Sequence, residues 1–224
     1  MPPLRTSLPE AARRLSTFPT SLDLARDAPR RGRAEEFINI FGNKGVAALP
    51  ALIALITACG QQPQAPTTPT PTEYLGDLSD STFDRAYLSM MSVHHQAAID
   101  NSNAVLAKNP ADQIKAWANQ VISEQQAEIN EMQTWLQDFG GPDAGAQAVM
   151  RANLMDVVSK ITASAKPGRT YLEGMIPHHG GANNMATLAL EKSSDARVLD
   201  LSRNIVQTQG QEMRDFKAWL LTHP

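Results

Sequence analysis

The chain has five histidines, and four of them stand in two adjacent pairs, His94-His95 within YLSMMSVHHQAAID and His178-His179 within YLEGMIPHHGGANN. Each pair follows a methionine, Met91 or Met175, at helical spacing, so thioether and imidazoles share one helical face. The fifth histidine, His223, is next to last in the chain. Imidazole with thioether is a soft to borderline donor set, which favours copper, Cu(I) above all, with Cu(II) also within reach. Zinc, through imidazole alone, is the weaker fit. A di-iron centre would draw on several carboxylates and on Glu-x-x-His motifs, and this sequence contains no Glu-x-x-His.

Both pairs belong to a duplication with a constant offset of 84 residues. Tyr87 matches Tyr171, Met91 matches Met175, Ala98 matches Ala182, Gln125 matches Gln209, Glu128 matches Glu212 and Trp135 matches Trp219. A repeat of this length is one supersecondary unit, here a helical hairpin. The first helix is predicted over 80–107. Asn109-Pro110-Ala111-Asp112 then offers an N-cap, a proline at the first helical position and an early acid for a second helix. That helix ends at Phe139-Gly140-Gly141-Pro142. In the second copy helices are predicted over roughly 168–191 and 195–222, with Ser193 or Ser194 as cap, and 144–164 reads as one connecting helix on the outside. The expected fold is all-α: an antiparallel, ferritin-like four-helix bundle made of two tandem helical hairpins with an extra connecting helix.

Polar residues interrupt the apolar seams of these helices at one level. In the first hairpin the seams run Tyr87, Met91, His94, Ala98, Asn101 and Ile114, Ala118, Val121, Gln125, Glu128, Met132, Trp135, Phe139. In the second they run Tyr171, Met175, His178, Ala182, Met185 and Val198, Ser202, Ile205, Gln209, Glu212, Phe216, Trp219. His94 lies 15 residues before Asn109 and Gln125 lies 16 after it. Both are therefore ~23 Å from the turn along their helices. The second copy repeats the arithmetic about Ser193, so one seam histidine per repeat should meet the glutamines and glutamates in a single layer. Left without partners, such groups cost ~1–3 kcal/mol each, against a whole domain's margin of ~5–15 kcal/mol. An internal hydrogen-bond network would compensate. A metal held by the histidines and methionines, with Gln125, Glu128, Gln209 and Glu212 orienting the rings, would also explain the thioethers. Met90, Met132 and Met213 read as core filler, and Trp135 and Trp219 as packing near the bundle end.

The N-terminal quarter reads differently. Residues 46–59, VAALPALIALITAC, form an apolar run too short to span a membrane, closed by the single cysteine, Cys59. Such a run fits the apolar region of a secretory signal. Its Ile-Thr-Ala-Cys end resembles a bacterial lipobox, in which the cysteine is lipidated. Residues 60–73 are rich in proline, threonine and glutamine and should form an extended tether, leaving 74–224 as the duplicated metal-binding domain. Residues 1–45 read either as an N-terminal extension or as the product of a start placed too far upstream. The first 59 residues carry a net charge of +3 and the remainder −6. An acidic body without a basic stripe excludes nucleic acid as the expected partner. The expected partners are a metal ion and, through the anchor alone, a membrane on the extracytoplasmic side of a bacterial envelope.

The doubled Met-x-x-His-His helix, each copy followed by Gln-x-x-Glu and a terminal Trp-Leu, resembles a bacterial family of exported, ferritin-like helical proteins. The family is catalogued as a domain of unknown function, numbered three hundred and five, and some members bind copper in the cell envelope. The resemblance implies Met91, His94, His95, Met175, His178, His179 and Met185 as metal ligands, surrounded by Gln125, Glu128, Gln209 and Glu212. The family's first copy usually has methionine where this chain has Asn101, so the two half-sites should be unequal. Pro177, absent from the first copy, should loosen its helix beside the histidines. The leading expectation is copper sequestration or tolerance. The alternatives are a copper-dependent enzyme that disproportionates superoxide, with no catalytic residue apart from the metal site, and a metal-free bundle in which the layer sets helix register.

Overall fold

A computed structural model describes residues 68–224. The proposed extension, signal run, Cys59 and the first part of the tether lie outside the described residues. Those described are all-α: α1 (Pro71–Gly76), α2 (Asp80–Leu106), α3 (Asp112–Leu136), α4 (Ala144–Asn153), α5 (Val157–Ala163), α6 (Pro167–Lys192) and α7 (Ala196–Thr222). Helix α1 begins inside the segment expected to be extended. Thr70 and Glu73 form a capping box and Pro71 occupies the first turn, a local signal strong enough to start a helix where the composition suggested a tether.

The two hairpins α2–α3 and α6–α7 each pack along their length, and α2 lies against α6. Contacts pair rising numbers in α2 with falling numbers in α6, so these two helices run antiparallel: His94 meets His178, Asn101 meets Met175, and Ser102 meets Tyr171. Tyr87 Oη and Ser202 Oγ, 2.9 Å apart, tie α2 to α7, and the Trp117 ring meets Phe216 edge-on between α3 and α7. The apolar core divides in two. One part gathers Phe83, Met91, Met132, Leu136, Met185, Val198 and Ile205, and the other Val105, Ile114, Val121, Tyr171, Met175 and Phe216. The polar layer falls between them.

Four details depart from the sequence expectations. Asn109 does not cap α3: it adopts a left-handed φ of 49° after the end of α2, a conformation asparagine tolerates better than most residues. Ala111 precedes α3 without a side-chain cap. Neither Ser193 nor Ser194 caps α7. Asp195 does, accepting from the Arg197 N–H, while Ser193 Oγ accepts from the Asp195 N–H. The connecting helix is two helices, because Asp156 accepts from the Ser159 N–H and starts a new one, leaving Leu154-Met155-Asp156 as a non-helical link. In α3 the buried stripe is Ile114, Ala118, Val121, Gln125, Ile129, Met132 and Leu136. Ile129 and Leu136 thus replace Glu128 and Trp135 at the centre of the stripe, as a 3.6-residue period drifts from a strict heptad. By contrast α6 continues through Pro177. The ends match the glycine signal: Gly140 and Gly141 both have φ of +85°, and the Gly141 N–H donates to the Leu136 carbonyl.

Candidate metal centre

All four paired histidines are buried, with 0–4% of their surface exposed. Spacing along a single seam had selected only one per repeat. Helices α2 and α6 each pack against more than one long helix, so adjacent side chains on them both turn inward. The two members of each pair do different work. His94 and His178, equivalent positions of the repeat, face each other across α2 and α6 with ring centroids 3.8 Å apart and planes tilted by 43°. His95 and His179 turn instead to their own hairpin partners, Glu128 on α3 and Glu212 on α7.

Hydrogen bonding assigns the protons. His94 Nε2 lies 3.1 Å from the His178 carbonyl oxygen, which can only accept. Nε2 of the neutral ring therefore donates, and the lone pair of Nδ1 faces a buried position with no partner. His95 Nε2 donates to Glu128 Oε2 at 2.6 Å, and its Nδ1 is likewise unpartnered. His179 Nε2 approaches Glu212 Oε2 at 2.9 Å. That approach is not aligned as a hydrogen bond, and Glu212 Oε1 has no partner. Both ring nitrogens of His178 are unpartnered. Burial holds the His94 ring far below the ordinary histidine range, with the neighbouring histidines, His178 first, adding to the effect. Burial, then the charges of His179 and His95, pushes His178 down to about 3. Both rings are therefore neutral at physiological pH, the form in which imidazole binds a metal.

The thioethers flank this layer. Met91, Met175 and Met185 are buried. Asn101 Nδ2 lies 3.7 Å from Met175 Sδ. Exchanging the two repeats converts that pair into Met185 and Met91, which share the other half of the core. One side of the layer thus has two methionines where the other has a methionine and an amide. Gln125 and Gln209 are buried at the same level, but Gln125 Oε1 and both side-chain heteroatoms of Gln209 lack partners; neither is bonded to a ring. Among the described residues, no three His, Cys, Asp or Glu side chains are gathered closely enough to hold a metal ion. Thioether sulfur is the further donor type that this layer offers to a soft metal ion. The residues fit such an ion: neutral buried imidazoles with free lone pairs, carboxylate-backed rings and methionines on both sides.

A cavity of about 330 Å³ reaches His94 and His178 from one side and is also lined by Met150, Met155, Pro177, Gly181 and Met185. Sequence reasoning gave the connecting segment no role; its two methionines were the available signal.

A family model described as a domain of unknown function, DUF305, matches residues 84–220, which include every residue of this layer. The chain belongs to the DUF305 family. Solved structures support the same fold. CopM in a Cu(I)-bound form is 27% identical with a TM-score of 0.55, covering 62% of this chain and 96% of CopM. A Cu(II)-bound form of CopM is 29% identical with a TM-score of 0.56, covering 63% and 98% respectively. A DUF305 protein from Streptomyces coelicolor, 23% identical, superposes with a TM-score of 0.55 over 62% of this chain and 92% of its own. No curated protein matches. Among the described residues of this DUF305 chain, no helix is long and apolar enough to cross a membrane.

Proposed function

We propose that this DUF305 protein binds copper in the layer between its two hairpins and sequesters it outside the cytoplasm, tethered to the envelope through a lipid on Cys59. The observation that carries the reading is the set of buried imidazole nitrogens without partners on His94, His95, His178 and His179. Leaving such groups unpaired is costly, and a soft ion between them removes the cost. His94 and His178 are the nitrogen donors best placed to share one ion, with Met91, Met175 and Met185 as the sulfur donors. Glu128 holds His95 in orientation and raises its basicity, while Glu212 lies beside His179 without an aligned hydrogen bond. The copper-bound forms of CopM support the choice of metal.

The test is titration with Cu(I) under reducing conditions, followed by competition with a chelator. The H94A/H178A double variant should lose most of the affinity; affinity equal to the parent's would overturn the reading. Replacing Cys59 with alanine should shift the protein from the membrane fraction to the soluble fraction. A second reading, superoxide disproportionation, is favoured by the cavity that gives small molecules access to His94 and His178. Superoxide decay no faster with the copper-loaded protein than with free copper would eliminate it.

A further inference from the structure

The cavity above His94 and His178 contains more sulfur than the layer needs. Three of its lining residues are methionines from three different segments: Met155 in the link between α4 and α5, Met150 in α4 and Met185 in α6. Their exposures fall in order, 41% for Met155, 4% for Met150 and 1% for Met185. One exposed and two buried thioethers therefore line the same cavity as the buried histidines.

Only Met185 comes from the duplicated hairpins; Met150 and Met155 belong to the crossover, which has no counterpart in the repeat. Met155 is also an exposed large apolar side chain, one of few on the described surface. Core packing accounts for Met150 and Met185, which both join the apolar cluster on that side, but it does not account for an exposed methionine at the mouth. The lining also includes Thr70, Pro71 and Thr72 from the start of the described residues and the amides Asn153 and Asn184, and no lysine or arginine among the lining residues repels a cation.

We infer that Met155, Met150 and Met185 form an entry path for a soft monovalent ion, Cu(I) or Ag(I), leading to His94 and His178. The inference rests on the copper-binding reading and adds the route and its selectivity. A thioether is neutral and carries no proton to lose, so the ion moves between sulfurs without oxidation, reduction or proton release. Because sulfur leaves the positive charge uncompensated, each step binds weakly, as transit requires. The same softness disfavours Zn(II) and other harder divalent ions on this path.

The full-length protein is tested with Cu(I) supplied from a bicinchoninate complex, whose colour is lost as copper transfers. The M150L/M155L variant keeps volume and apolarity. Its loading should slow by about tenfold, the loss expected if the path forfeits a ligand step worth one decade of affinity. The final copper content and affinity should match the parent's. An unchanged rate overturns the entry path and leaves copper binding intact, whereas absence of transfer in the parent overturns both. If the variant folds poorly, methyl-labelled methionine NMR of the parent decides instead. Substoichiometric Ag(I) should shift the Met155 and Met150 methyl resonances, and shifts confined to Met91 and Met175 refute the path.

Discussion

Acidifying the metal-free protein should unfold it through its buried histidines. In the folded chain His178 takes up a proton only near about 3, and His94 is held below its ordinary range by the same burial. In the unfolded chain both return to about 6.5. Between those limits the unfolded state binds more protons, so stability is full above about 6.5 and falls as the pH drops toward the folded value. The slope is about 1.4 kcal/mol per pH unit for each such histidine. Taken from about pH 6.5 to about pH 4.5, His178 alone removes ~2.5 kcal/mol, a sizeable part of the margin of a modest domain, and His94 acts in the same direction. Other groups also contribute to acid unfolding, so a variant must isolate the effect. Urea unfolding followed by circular dichroism, at several pH values, should give H178N a dependence shallower by about 1.4 kcal/mol per pH unit. Parallel curves for parent and variant would refute the assignment of His178 as a ring buried in its neutral form.

Other consequences are checked in the same way. Replacing Asn101 by methionine supplies the thioether that the second half of the layer lacks, and should tighten Ag(I) binding and move the Met175 methyl resonance on titration. E128Q keeps the shape but weakens the acceptor of the His95 proton; copper affinity should fall by about 10–100-fold, measured by chelator competition. A Cβ on Gly174 would lie 2.6 Å from Val157 Cγ1, where α5 packs on α6. G174A should therefore cost about 1–3 kcal/mol in urea melts, and hydrogen exchange should show the loosening in α5 first.

Much of this arrangement could be read from residue order. The offset of 84 residues implied two hairpins, and counting from each turn put His, Gln and Glu at one height, where the structure has His95 against Glu128 and His179 against Glu212. What escaped was the angular detail. A seam picks one of two adjacent histidines, but a helix packed on more than one neighbour has interior surface on more than one side, and nothing local to α2 announces its second neighbour. Turn chemistry was ambiguous for a similar reason: Asn109 can cap a helix or close one, and the chain path decides. The split of the crossover at Asp156 and the placing of Met150 and Met155 over the histidines depend on long-range packing, which periodicity within one segment does not report.

The meeting of His94 with its own repeat equivalent, His178, places the centre on the axis that relates the two hairpins. A residue on such an axis meets its equivalent whether the two hairpins share one chain or come from two. A lone hairpin pairing with a second copy would bring the same histidine face to face and close the same layer, as a symmetric dimer does. In one chain the halves need not be identical: Asn101 stands opposite Met185 in the repeat, Pro177 opposite Val93, and the crossover brings Met150 and Met155 to one side only.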